Sequence, residues 1–221
     1  MKVFLGVGHG GSDPGAVANG VKEKDLNLSI ALACKDMLTK HGVSVKMSRT
    51  KDENDTLSEE IKECNAFSPD LAVDIHNNAG GGDGAEVFHH YGGGKSKTLA
   101  EDILAEIGKV GQNTRGAKIR KNSQGKDYYG FIRETSCPAV IVECAFVDNA
   151  SDLKILASER DRQEMGVAIA KGILKTLGVE IQPDRGTLYR VQVGAYLVKS
   201  NAEDMQRKIK ALGFNAFIVK E

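Results

Sequence analysis

Two imidazoles and two carboxylates stand where the chain leaves apolar, strand-like runs or a glycine-rich loop. His9 follows the run at residues 2–7, and Glu23 closes the glycine loop in the first turn of a helix. His76 ends the run at residues 71–75, and Glu143 lies near the end of 138–144. In α/β sheets ligands gather at the carboxyl ends of strands, so these positions come first. Two histidines and a glutamate make the His2Glu donor set of a catalytic zinc site whose fourth position belongs to water. The second glutamate fits a general base. Each residue alone has a plainer reading. His9 fits a loop histidine, Glu23 an acid favoured at a helix start, and Glu143 the partner of a buried arginine such as Arg133. The placement of all four at strand ends or loop exits points to a shared site.

Other candidates carry less. His89 and His90 are adjacent on a strand and face opposite sides, so both cannot join one site, and a rim or exposed pair is expected. His41, in the last turn of a helix, reads as a dipole-compatible surface residue. Cys144 invites pairing with His76 as a nucleophile, but it neighbours Glu143 on a strand and points the other way, into the core. Gly6-Val7-Gly8-His9-Gly10-Gly11 matches G-x-G-x-x-G and raises an NAD-type oxidoreductase as an alternative. Pro14, Gly15 and Gly20 nevertheless delay the helix to about residue 24, whereas a dinucleotide helix starts inside the motif.

The elements that must position these residues alternate. Residues 2–7 read as a strand, and a helix follows the glycine loop with Leu26, Ile30, Ala33 and Met37 as its apolar stripe and Gly42 as its stop. Val43, Val45 and Met47 alternate as a strand. Thr56-Leu57-Ser58-Glu59 is a capping box opening a helix that ends before Pro69. Residues 71–75 and 86–91 read as strands, 97–109 as a helix buried through Leu99, Ile103, Leu104 and Ile107, 138–144 as the most apolar strand, and 162–177 as a helix closed by Gly178. This order predicts an α/β fold, a mostly parallel sheet with helices on both faces. Residues 179–187 have no periodicity and read as a linker. Beyond it, strands at 188–194 and 214–220 around a helix at 201–212 predict a small C-terminal βαβ unit.

Composition bounds the function classes. The chain has 221 residues, 41% hydrophobic and 27% charged, with 30 basic against 30 acidic side chains, so no net field favours nucleic acid. No apolar run reaches the roughly 20 residues of a membrane span, and the first residues meet a glycine cluster before any signal-peptide core forms. Cys34, Cys64, Cys137 and Cys144 form no CxxC pair and read as free, mostly buried thiols.

Four segments together carry a family resemblance: Gly8-His9-Gly10-Gly11-Ser12-Asp13-Pro14-Gly15-Ala16, Glu23-Lys24-Asp25-Leu26-Asn27-Leu28, Asp74-Ile75-His76-Asn77-Asn78-Ala79, and Val142-Glu143-Cys144-Ala145-Phe146-Val147-Asp148-Asn149. Residues 1–178 resemble the zinc-dependent N-acetylmuramoyl-L-alanine amidases of the Amidase_3 family, the peptidoglycan amidases of autolysins and phage endolysins. The resemblance implies His9, Glu23 and His76 as zinc ligands and Glu143 as the catalytic glutamate. It departs at Gly6, where the family usually has aspartate, and at Glu60, where it often has arginine. Asn78, just past His76, is a candidate substrate hydrogen-bond donor, with a turn role equally open.

The tail resembles the first half of a SPOR domain, a module that binds peptidoglycan glycan strands, through Tyr189-Arg190-Val191-Gln192-Val193-Gly194-Ala195-Tyr196. A half module at 188–221 implies glycan binding, homodimerisation, or both. The expected partner is bacterial peptidoglycan, with no nucleic acid and no membrane span. A wall hydrolase without a signal peptide is expected in the host cytoplasm until release, as endolysins are, or to leave by another route. The alternatives are the oxidoreductase and a non-catalytic cell-wall binding protein.

Overall fold

The computed structural model describes residues 1–181 and 192–219. The expected linker at 179–187 and strand at 188–194 fall largely outside them, as does the end of the tail. The chain forms two compact units, Met1–Gln182 and Pro183–Glu221.

The first unit is built on a six-stranded sheet of β1 (Lys2–Val7), β4 (Ser44–Met47), β5 (Leu71–Asn78), β6 (Ala85–His89), β7 (Thr114–Lys118) and β8 (Ala139–Phe146) in the order β4-β1-β5-β8-β6-β7. All neighbours are parallel except β6 and β8, which run antiparallel. Two short strands, β2 (Val17–Ala18) and β3 (Val21–Lys22), form a hairpin in the glycine loop. The first helix, α1 (Glu23–Lys40), buries Leu26, Ile30, Cys34 and Leu38; Ala33 and Met37, expected in the stripe, are only half-buried. The buried row is thus shifted by one residue toward the C-terminus beyond Ile30. α2 (Leu57–Phe67) opens on the expected capping box, with the Thr56 side chain and Glu59 reciprocally bonded, and ends at Ser68 in the left-handed region before Pro69. α3 (Lys95–Lys109) buries the four expected side chains, and α6 (Glu159–Leu177) opens on a Ser158–Asp161 capping box. The short helices α4 (Gly130–Glu134) and α5 (Ala150–Ile155), with β7, were not legible as periodic patterns, being only five or six residues long.

Strand alternation sorts the sheet into two faces. Val3, Leu5 and Val7 of β1, Val73 and Ile75 of β5, and Val140, Val142 and Cys144 of β8 join α1, α3 and α6 in the large core. Phe4, Ala72, Ala139 and Ile141 face a smaller cluster with Ile61 of α2 and Phe131 of α4. The second pair of helices is short. It leaves the carboxyl ends of β1, β5 and β8 uncovered on that face, and the site sits there.

In the second unit, α7 (Lys199–Ala211) forms where a helix was expected. The described parts of the two flanking segments, 192–194 and 214–219, are not strands. A helix satisfies its backbone internally, whereas a strand needs a neighbour. Val193, Phe214 and Phe217 stay exposed.

Candidate active site

The loop after β1 is held in a constrained shape. His9 has φ +62°, a left-handed conformation that costs a non-glycine residue about 1–2 kcal/mol. Buried groups hold it there. Arg49, fully buried after β4, donates from Nε to the Val7 carbonyl and from a terminal nitrogen to the Gly8 and Lys24 carbonyls. Asn27 donates to the Gly8 carbonyl at 2.9 Å. Gly8 itself is obligatory, because a Cβ there would fall inside the imidazole of His76.

On this frame Glu23, the first residue of α1, becomes the hub. Its Oε2 lies 3.1 Å from Nε2 of His9, and its Oε1 lies 3.0 Å from Nδ1 of His76. The backbone N–H groups of Ala16 and Asn77 also donate to it. The ligating atoms of His9, Glu23 and His76 all lie within 4.8 Å of one another, the one such group of three among the described residues. The imidazoles stand edge to face, with centroids 5.1 Å apart. Each has its far nitrogen on a carboxylate: Nδ1 of His9 on Asp13 at 2.8 Å, and Nε2 of His76 on Asp74 at 3.2 Å. Such carboxylate–histidine pairs fix which ring nitrogen faces a metal.

The electrostatics follow from this packing. Burial pushes Glu23 up, but the hydrogen bonds from His76 and His9 outweigh it and hold the carboxyl well below the usual range. His9 is raised, first by its bond to Glu23, against the opposing pull of burial. Burial lowers His76, yet Asp74, Glu23 and Glu143 together raise it. The two imidazoles thus turn one nitrogen each toward a single carboxylate, and these donor atoms could hold a divalent cation.

Glu143 is paired in register with His76 across β8 and β5. Its Oε2 is buried with no hydrogen-bond partner. Burial pushes its pKa up to about 7, with Glu23, Asp74 and Glu86 adding to the shift and His76 opposing it. Arg133, the alternative partner, instead bonds the Asp127 and Tyr128 carbonyls and Glu134. Glu86, also in register with Glu143, behaves differently. Burial would raise it, but Lys118 and Arg115 pair with it and keep it ionised. Asn78 lies two residues beyond His76 on the same face, where its amide donates to Glu86 and its carbonyl oxygen accepts from Ala79 N–H.

The remaining candidates lie outside the cluster. His89 is buried and bonds the His90 carbonyl, while His90 pairs with Asp127; the first of the two is thus not on the rim. His41 bonds the Met37 carbonyl. Cys144 is buried on the opposite face from Glu143. The G-x-G-x-x-G run does not open a helix, since α1 starts only at Glu23. Arg49 and Asp74 were missed in the sequence; the one available signal was a charged residue inside or just after a predicted strand.

An α/β sheet with a His–Glu–His cluster that could hold a metal ion and a neighbouring, unpaired glutamate at its carboxyl end defines the class of a hydrolase. The comparisons give the family. Residues 3–175 match the N-acetylmuramoyl-L-alanine amidase family, and residues 166–220 match the SPOR domain. The chain is 35% identical to the N-acetylmuramoyl-L-alanine amidase CwlM of Bacillus licheniformis, over 99% of this chain and 85% of that one. It is 35% identical to the endolysin of Bacillus phage SPP1, over 80% of this chain and 66% of that one. The catalytic domain of CwlV, an N-acetylmuramoyl-L-alanine amidase from Bacillus (Paenibacillus) polymyxa var. colistinus, superimposes with a TM-score of 0.73 at 27% identity, covering 81% of this chain and 99% of that one. The chain belongs to the N-acetylmuramoyl-L-alanine amidase family and is a peptidoglycan hydrolase acting on the amide between N-acetylmuramic acid and L-alanine. No helix among the described residues is long and apolar enough to cross a membrane.

Proposed function

We propose that hydrolysis is zinc-dependent, with His9, Glu23 and His76 as the metal ligands and Glu143 as the general base. What carries the reading is the convergence of Nε2 of His9 and Nδ1 of His76 on the two oxygens of Glu23, beside the orphaned Oε2 of Glu143. The donor set fits zinc, and Asp13 and Asp74 give each imidazole the partner a ligand needs. When bound, zinc would polarise the scissile carbonyl and acidify a water. Glu143 would accept a proton from the attacking water and return it to the leaving amine of L-alanine, a transfer suited to a carboxyl poised near neutrality. Asn78 and the Arg115–Lys118 pair hold Glu86 ionised, so Glu86 stays an acceptor and leaves proton transfer to Glu143. Asn78 reaches substrate only by exchanging its bond to Glu86. The glycine loop leaves an extended glycan and peptide room beside the cluster.

Residues 1–178 act as the catalytic domain, 179–187 as the linker, and 188–221 as the module that holds glycan or pairs with a second chain. The exposed Val193, Phe214 and Phe217 support pairing, because a second βαβ half would cover them. Sedimentation of the full chain and of residues 1–180 tests this: a dimer lost on truncation supports it, and a monomer at tens of micromolar refutes it.

Turbidity of purified cell walls, with and without chelator and with mass spectrometry of the fragments, tests the chemistry. The expected result is chelator-sensitive release of stem peptides with a free L-alanine amino terminus. Full activity after complete zinc removal refutes the metal assignment.

A further inference from the structure

Beside the metal cluster, on the same face of the sheet, a recess of about 270 Å³ runs between the N-terminal turns of α2 and α4. Gly8, His9 and His76 are among the residues that line it. Asp13, Asp55, Glu60 and Asp74 also line it, together with Leu57, Phe131 and Ile141, and no lysine or arginine does among the described residues.

The acids here are under-compensated. Glu60 is 7% exposed and Asp74 3% exposed, and Oε1 of the first and Oδ1 of the second are buried with no hydrogen-bond partner. Both point at Gly6, which pairs with Asp74 across β1 and β5. A Cβ at Gly6 would lie 2.6 Å from Oδ1 of Asp74 and closer still to Glu60, so glycine at position 6 and the two carboxylates form one arrangement. A dication in the cluster would be matched by Glu23 and Glu143, while Asp13 and the other oxygen of Asp74 attend the imidazoles. Glu60 and Asp55 then have no cation within ion-pair distance among the described residues. Buried carboxyl groups in this state hold a negative charge only against a positive partner.

A second metal ion fits poorly, because Asp55, Glu60 and Asp74 make no group of ligating atoms within 4.8 Å of one another. An alkylammonium suits the lining better: Leu57, Phe131 and Ile141 offer apolar surface for a hydrocarbon stem, and Asp55, Glu60 and Asp74 offer negative charge for its head. We propose that this recess is a specificity subsite for a free primary amine on the substrate, the side-chain ammonium of a diamino acid in the stem peptide. The proposal rests on the amidase reading above and names the part of the substrate that the acid recess selects.

Two muramyl tripeptides test it, N-acetylmuramoyl-L-alanyl-D-glutamyl-L-lysine with its ε-amine free and the same peptide with that amine acetylated, offered to the zinc-loaded full chain. The free amine should raise kcat/KM at least tenfold, mainly through KM, and Glu60→Gln and Asp55→Asn should shrink that preference while zinc stays at one per chain. Equal kcat/KM for the two peptides, or a preference unchanged in both variants, overturns the proposal. Cleavage of neither peptide counts against the amidase reading alone, and calorimetry with zinc-loaded Glu143→Gln then decides the recess: tighter binding of the free amine supports it, and equal affinities overturn it. A second divalent ion per chain by plasma emission, lost in Glu60→Gln, also overturns it in favour of a metal.

Discussion

His76 and Glu143 lie side by side in register on the neighbouring parallel strands β5 and β8, so a ligand candidate and a base candidate share one rigid frame. The sheet hydrogen bonds fix their spacing, and alternation puts both on the face that α2 and α4 leave open. Glu143 therefore faces the cluster without being hydrogen-bonded into it, which leaves its Oε2 free to take a proton.

Glu143→Gln keeps the shape and removes the proposed base. Zinc content should be unchanged while turnover falls by about 10²–10⁴-fold, the usual share of general acid–base catalysis. Steady-state rates and plasma emission on the same sample check it, and near-normal turnover would move the base elsewhere.

Gly8→Ala puts a methyl group where the His76 imidazole lies. The ring must turn off Glu23 or the loop must shift, so zinc affinity should drop by about 10–100-fold, as when the support of a ligand is lost. Competition with a chromogenic chelator reads the affinity. An unchanged value would show that the ring has another place to sit.

Arg49→Lys removes donors from the Val7, Gly8 and Lys24 carbonyls, and a single ammonium cannot serve all three. Leaving buried carbonyls unpaired costs roughly 1–3 kcal/mol each, so the melting temperature should fall by several degrees and His9 should lose its left-handed conformation. Thermal melts and zinc titration test both effects together.

Glu60→Gln should make stability less sensitive to pH. Burial, with Asp74 adding to it, raises the Glu60 pKa well above the ordinary carboxylate value. A group raised in the folded state is protonated there when it would already be ionised unfolded, so stability is fully present below the unfolded pKa and is lost as pH rises toward the folded one. The variant should therefore melt close to the parent near pH 4 and above it at pH 7.5. A parent whose melting temperature rises relative to the variant across that range would contradict the assignment.

Much of this protein was legible in its residues because the relevant signals are local. The capping box at Thr56, the four-residue face of α3 and the apolar runs of β1 and β8 each depend on neighbours within a turn or a strand. The four segments holding His9, Glu23, His76 and Glu143 were legible in the same way, and the structure brings these side chains together. Other features were settled only when distant segments met. β7, α4 and α5 are too short to show a period and persist because they pack on the sheet. The antiparallel course of β6 beside β8 depends on a pairing that no local pattern encodes. Arg49 became the clamp of the His9 loop only when β4 was laid beside β1 and its guanidinium reached the Val7 and Gly8 carbonyls. Asp74, a charge in the middle of an apolar run, is accommodated because β5 lies next to β1, where Gly6 leaves the space. The tail shows the converse: α7 forms on its own hydrogen bonds, while residues 192–194 and 214–219, which need a neighbouring strand to become strands, have not become them.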